Sequence, residues 1–344
     1  MAPTDAEALK ALNTVIETAA TLLQQLQTVL GGIQKNQNPS IETKKPEASN
    51  ASAPPSGVDA LALARDSTAL IKAHSTKLSL LIINEPFTPS AISTVVRELV
   101  TGPIPGLASS IEVCDTNIYT SVLRRELAWR AQRVFVELGG LLQRVPKDGK
   151  IVSGDKKDSF GPGGKGSLAS TGVLWSACDD VIGLANMGVG GFFVKKAQEW
   201  RDTLKDDMLD DLMSSQQAIP RDDPDGIRPR LETSLKRLRL IVLLYQAISK
   251  RRFKKLPSFP PTGATSDIPQ RLDKTAKALQ QLPDKFSDLA TTFYDMDPEE
   301  IDEAMTQAFA DAHGVSELLS MSWDGSRDEF TEWTEKFQAE IKKA

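Results

Sequence analysis

The 344-residue chain holds only two cysteines, Cys114 and Cys178, and only two histidines, His74 and His313. No Cys/His cluster has zinc spacing, which removes the common structural zinc modules. Two cysteines far apart, each on an apolar helical face, read as reduced core thiols and an intracellular setting. No positively charged start followed by an apolar stretch marks a signal peptide. No apolar run approaches the roughly 18–20 residues that a membrane span requires. Strand alternation is almost absent. So is an excess of positive charge: the net charge is −5 and the pI about 5.4, so the average surface does not attract nucleic acid.

What is present is helical periodicity. Leu9, Leu12, Ile16, Ala19, Leu23, Leu26 and Leu30 follow at alternating steps of 3 and 4, a heptad seam along a first helix over about residues 5–30. Gly31-Gly32 is expected to end it. A second stripe runs from Leu61 through Ile71 and Leu78 to Ile82, before Pro86 and Pro89. Ile92, Val95, Val96 and Leu99 mark a third helix, which Thr101–Gly106 must interrupt or kink. Leu107, Ile111 and Cys114 resume it, and Leu123 to Leu141 mark a fourth stretch reaching about Val145. Helices are expected from Ser167 to about Ala185 and from Gly191 to about Gln217, separated by Asn186–Gly190. A helix from about Arg228 to Lys254 carries Leu231, Leu235, Leu238, Val242 and Tyr245, and its second half is apolar nearly all round. It is expected to be the most buried helix of its lobe. The next helix has a kink expected at Pro283. Asp297-Pro298-Glu299-Glu300 is a helix start, with a capping acid, a first-turn proline and two carboxylates facing the helix dipole. Phe330, Trp333, Phe337 and Ile341 mark the last helix.

The fold class is therefore all-α. The organisation read from the breaks is an N-terminal helix over 1–33, a disordered Pro/Ser/Asn/Lys-rich linker over 34–56, a helical bundle over 57–219 that packs with the first helix, and a second bundle over 226–344. Residues 146–166 form an exposed loop inside the first bundle, and Pro220–Gly226 marks the boundary.

Few motifs carry chemistry. Gly161–Gly166 matches G-x-G-x-x-G, but a charged linker precedes it in place of a strand, and Lys165 is followed by glycine, so it reads as a flexible linker. His74, between Ile71 and Leu78, reads as a core or boundary histidine, and His313 suits a helix C-terminus. Cys178 has no neighbouring base to draw off its proton and reads as a packing thiol. No catalytic, cofactor or metal residues are assigned. The strongest charge feature is Lys250, Arg251, Arg252, Lys254 and Lys255 around Phe253, with Lys236, Arg237 and Arg239 upstream. It can be a solvated helix end, a nuclear-import signal, or a contact for acidic proteins, phosphate or anionic lipid. Asp202, Asp206, Asp207, Asp210 and Asp211 crowd one helix; they form an outer acidic face or a dock for a basic partner.

Three segments carry a family resemblance. Val173-Leu174-Trp175-Ser176-Ala177-Cys178-Asp179 resembles a stretch of the cyclin-D-interacting protein family, also described as maternal Id-like proteins. Leu282–Ala290 is similar to that family's proline-interrupted helix near the end. Leu80-Leu81-Ile82-Ile83 before Pro86 and Pro89 is similar to its early helix exit. The order of the three agrees, over about residues 55–340, as in a divergent member. The resemblance implies two helical bundles with a cleft between them and no catalytic site. It also implies cyclin D-like and helix-loop-helix partners, no sequence-specific nucleic-acid binding, and presence in cytoplasm and nucleus. The bundles also resemble those of vinculin and catenin, so a cytoskeletal or membrane-associated scaffold is the alternative. The helix of Leu231–Lys255 and the acidic helix of Trp200–Leu212 are the surfaces on which a partner helix is expected.

Overall fold

The fold was read from a computed structural model that describes residues 5–35, 58–149, 167–208, 212, 214, 219, 221–259 and 267–342. Of the disordered linker expected over 34–56, Gln34 is helical and Lys35 a turn, while 36–56, the Gly161–Gly166 motif, and Asp210 and Asp211 lie outside these residues. Among the described residues every regular element is helical, so the fold is all-α. The chain divides into two compact units, Met1–Gly188 and Val189–Ala344.

In the first unit, α1 (Asp5–Gln34) packs on α3 (Pro89–Thr101) and α5 (Ser121–Gln143), while α2 (Ala60–Ile83) packs on α3 and α4 (Pro103–Val113). The heptad seam supplies α1's buried side: Leu12, Ile16, Ala19, Leu23 and Leu30 are out of solvent. α1 does not stop at Gly31-Gly32. Gln132 of α5 donates to the Gln27 carbonyl at 3.1 Å and accepts from Gln34 Nε2 at 2.7 Å, so tertiary bonds hold a turn that glycine would otherwise end. α2 begins at Asp59, whose carboxylate caps Leu61 and Ala62. The Tyr119 hydroxyl accepts from Ala60 N and donates to Asp59, which ties that cap to the start of α5.

α6 (Ser167–Thr203) is two helical segments meeting at a kink, and the kink falls inside the break expected at Asn186–Gly190. Its break shrinks to one residue, Gly188, at φ 63° and ψ −176°, a region essentially closed to residues with a Cβ. Before Gly188 the helix belongs to the first unit. Leu174, Ala177, Cys178, Val181 and Leu184 are fully buried, Lys72 bonds Asp179 at 2.6 Å, and Arg133 bonds Asp180 at 2.7 Å. The unit boundary thus falls at this glycine, earlier than the Pro220–Gly226 break, which lies within the second unit. The reason is packing: Phe192, Phe193 and Ala197, just after the kink, are buried in the second unit. Among the described residues, Ala169–Asp206 is the helical stretch long and apolar enough to cross a membrane by length and composition. It carries a buried seam and the paired Asp179 and Asp180, and the kink at Gly188 interrupts it.

In the second unit a π-helical turn (Leu204–Met208) follows α6 and packs on α8 (Ile268–Asp295). α7 (Ile227–Arg251) packs on α9 (Pro298–Leu318) and α10 (Glu329–Ile341). Asp223 opens α7 by accepting from Ile227 N and Arg228 N. Tyr245 of α7 donates to the Leu279 carbonyl of α8 at 2.6 Å. α8 runs on through Pro283, which is buried within it. Asp297 caps α9 by accepting from Glu299 N and Glu300 N, as its sequence predicts. α7 is not apolar-buried all round: Leu243 points outward.

Candidate functional site

α7 ends at Arg251, and Phe253–Lys255 form a single 3-10 turn beyond it. The basic run therefore bridges a change of helix type, and its side chains separate into two classes. Arg252 is 1% exposed. Its guanidinium donates through Nε to the Leu319 carbonyl at 2.8 Å, and to the carbonyls of Arg251 at 3.1 Å and Ser320 at 2.9 Å. It also grips Asp328 with two bonds of 2.8 and 2.9 Å, and its face lies 4.4 Å from the centre of the Phe330 ring. All five donors are satisfied, which is the condition under which a buried guanidinium is tolerated. Arg252 is thus a structural residue and does not belong to a docking patch, contrary to the sequence expectation. Phe253, also fully buried, packs its ring 5.5 Å from that of Phe193. Gly190 makes this approach feasible, because a Cβ there would sit 3.0 Å from the Phe253 carbonyl oxygen.

A second arginine braces the same loop. Arg271 of α8 donates to the carbonyls of Leu318, Met321 and Ser322, with its charge 4.8 Å from the Trp323 ring centre. Trp323 in turn donates to the Arg252 carbonyl at 2.9 Å. Burial, and then the nearby Arg252 charge, lower the Arg271 pKa from its ordinary value. Asp328 completes the frame. It is the N-cap of α10, accepting from Phe330 N and Thr331 N, with the Thr331 hydroxyl closing a capping box. The bonds from Arg252 hold its carboxyl well below the usual carboxylate range. Arg271, Trp323 and Asp328 were not found from the sequence. Only Asp328 left a local signal, a capping residue three positions before Thr331.

The remaining cations face outward. Arg251 pairs with the exposed Glu329 at 2.7 Å, a contact worth at most about 1 kcal/mol. Lys250, Lys254 and Lys255 are exposed and carry no ion pair among the described residues. The acidic candidates are less well placed. Asp206 is exposed beside Lys205 at 3.5 Å, and Asp202 bonds Arg201 at 2.5 Å. The Asp207 side chain lies outside the described residues, as do Asp210 and Asp211. The expected acidic α-helix changes to a π turn at Leu204.

The groups considered for chemistry sit elsewhere. His74 is 3.4 Å from Glu98, at the edge of the α2 core, and His313 is 3.6 Å from Glu317 within α9. Cys114 and Cys178 are buried free thiols, and burial pushes both up to about 12. Neither is expected to react with iodoacetamide at pH 7–8 in the native protein, because the thiolate is the nucleophile. Both should react in denaturant. Mass-spectrometric labelling checks this, and native labelling of either thiol would contradict the burial. Among the described residues no group of three or more His, Cys, Asp and Glu side chains is placed to hold a metal ion.

The Val173–Asp179 segment divides by helical face. Leu174, Ala177 and Cys178 are core, while Trp175 is 37% exposed and donates to Thr76 at 3.1 Å. No family model matches the chain. An uncharacterized protein of Schizosaccharomyces pombe (strain 972 / ATCC 24843) is 24% identical over 298 residues, covering 80% of this chain and 82% of that protein, so the likeness extends over most of both chains.

Proposed function

We propose that the protein is a non-enzymatic adaptor that regulates cell-cycle progression or transcription by holding cyclin-like or helix-loop-helix partners. The observation that supports this reading best is the sorting of the basic run. Arg252 and Phe253 anchor the backbone in the core, while Lys250, Lys254 and Lys255 are left exposed on a fixed helix end. Pre-ordered cations lower the ordering cost of association, and their charge steers encounter with an acidic partner. The resemblance of Val173–Asp179, Leu282–Ala290 and Leu80–Ile83 to the cyclin-D-interacting family supplies the partner class, and with it action in cytoplasm and nucleus.

A tagged pull-down from native extract tests it, with wild type beside a Lys250/Lys254/Lys255→Glu variant and identification by mass spectrometry. Arg252 stays intact in that variant, and unchanged circular dichroism separates loss of a partner from unfolding of the frame. Recovery of cyclins or helix-loop-helix regulators by wild type, weakened at least ~tenfold in the variant, is expected. Recovery of junction or filament proteins in their place would reject this reading for that of a vinculin- or catenin-like scaffold.

A further inference from the structure

The outer side of α7 is a second seam. Pro229, Glu232, Lys236, Arg239, Leu243 and Lys250 are exposed, at steps of 3, 4, 3, 4 and 7, so they fall on one line along the helix. The opposite side, Leu231, Leu238, Ile241, Tyr245 and Ile248, is in the core. Leu243 stands 49% exposed at the middle of the outer line, with Leu240 and Ala247 half-buried beside it. Lys236 lies one heptad before it and Lys250 one heptad after it, each about 10 Å away along the axis at ~1.5 Å per residue. Lys236, Arg239, Lys250, Lys254 and Lys255 carry no ion pair among the described residues. In a chain of net charge −5, this is a concentrated positive strip with one apolar knob at its centre.

We propose that the Lys236–Leu243–Lys250 strip docks an acidic helix of a partner protein, one carrying carboxylates a heptad to either side of an apolar anchor. The match follows from geometry and charge. Two helices crossing at a shallow angle keep heptad-spaced positions in register, so one apolar contact and two flanking ion pairs form together. The flanking charges fix register and orientation, and the apolar contact supplies the desolvated centre. A lipid surface fits less well. Membrane-lying helices present a broad apolar sector, whereas α7 keeps Ile241, Leu244 and Ile248 inside and offers chiefly Leu243. The inference rests on reading the protein as an interaction module, not on the cyclin-like or helix-loop-helix identity of its partner.

The test uses the full chain and a fluorescein-labelled helical peptide of about three heptads. The peptide has a central leucine and glutamates seven residues to each side. Its control has the same composition in shuffled order. Fluorescence polarisation is expected to show the ordered peptide binding at least ~tenfold tighter than the shuffled one, and more weakly at high salt. Leu243→Ser, a change at an exposed position, and the triple variant Lys236→Glu/Arg239→Glu/Lys250→Glu should each lose at least ~tenfold, with unchanged circular dichroism. Equal affinity for both peptides, no binding of either, or indifference to Leu243→Ser overturns the proposal. So does cosedimentation with phosphatidylserine vesicles that Leu243→Ser abolishes while the peptides are not distinguished. If the ordered peptide binds but extract yields no cyclin or helix-loop-helix regulator, the strip stands and the partner class falls. If those regulators are recovered equally by wild type and by both variants, the adaptor stands and the strip falls.

Discussion

Arg252→Ala is expected to destabilise the second unit by about 3–5 kcal/mol, the range for removing one partner of a buried, hydrogen-bonded ion pair. The loss has several sources. The Leu319 carbonyl loses its side-chain donor, the Ser320 carbonyl keeps the Thr331 hydroxyl but loses the guanidinium, Asp328 keeps its charge without its cation, and the Phe330 ring loses the guanidinium above it. Lysine should not rescue it, because an ammonium cannot reproduce a five-donor planar fork. Lys250→Ala, at an exposed neighbour, should move stability by no more than about 0.5 kcal/mol. Urea titration gives the size of the effect, and hydrogen exchange should place the lost protection across 318–331. Equal stabilities for the two alanine variants would refute the frame.

The same contact sets an acid limit. Asp328's folded pKa is depressed, chiefly by the Arg252 bonds. Its contribution is therefore complete above the unfolded carboxylate value of about 3.9 and disappears as pH falls below it towards the folded value. The stability gap between wild type and Asp328→Asn should be flat from pH 5 to pH 8 and should narrow below about pH 4.

Phe253→Ala is expected to cost about 3–5 kcal/mol, from lost transfer energy and the cavity left against Phe193. Phe193 is itself held edge-on by Phe192 at 5.2 Å, and Gly190 brings backbone close to the Phe253 carbonyl. Little nearby is free to collapse into the space, which puts the cost at the upper end of the range. Phe253→Leu should cost less, since it keeps more of the apolar volume. A measured loss below about 1 kcal/mol for the alanine variant would mean that this contact is looser than the structure shows.

Helical identity was legible because 3-and-4 spacing is a local property. The α1 seam, the Asp297 cap and the buried cysteines needed no knowledge of distant residues. The misreadings have distant causes. Gly31-Gly32 stays helical because Gln132 bonds across from α5, and nothing in the first helix announces that. The break expected at Asn186–Gly190 falls where the sequence puts it, and only its width differs, since the one residue Gly188 at positive φ makes the turn. Charge alone marks the basic run as a surface feature, although its phase holds information. Arg252 follows Ile241, Tyr245 and Ile248 at 4, 3 and 4, so it continues the inner stripe of α7. What no local pattern could supply was Asp328, which lies far along the chain and makes that inward position tolerable for a cation.

Pattern matching would take Lys250–Lys255 for a transport label, six consecutive residues of which five are basic. A receptor that reads successive side chains from an extended peptide cannot take hold of it in the folded protein. Its third and fourth letters are inside, and presenting them would mean withdrawing Arg252 from Asp328 and Phe253 from Phe193. The folded chain displays this stretch as Lys250, the adjacent Lys254 and Lys255, and one paired arginine, a shape to be recognised and not a word to be spelled.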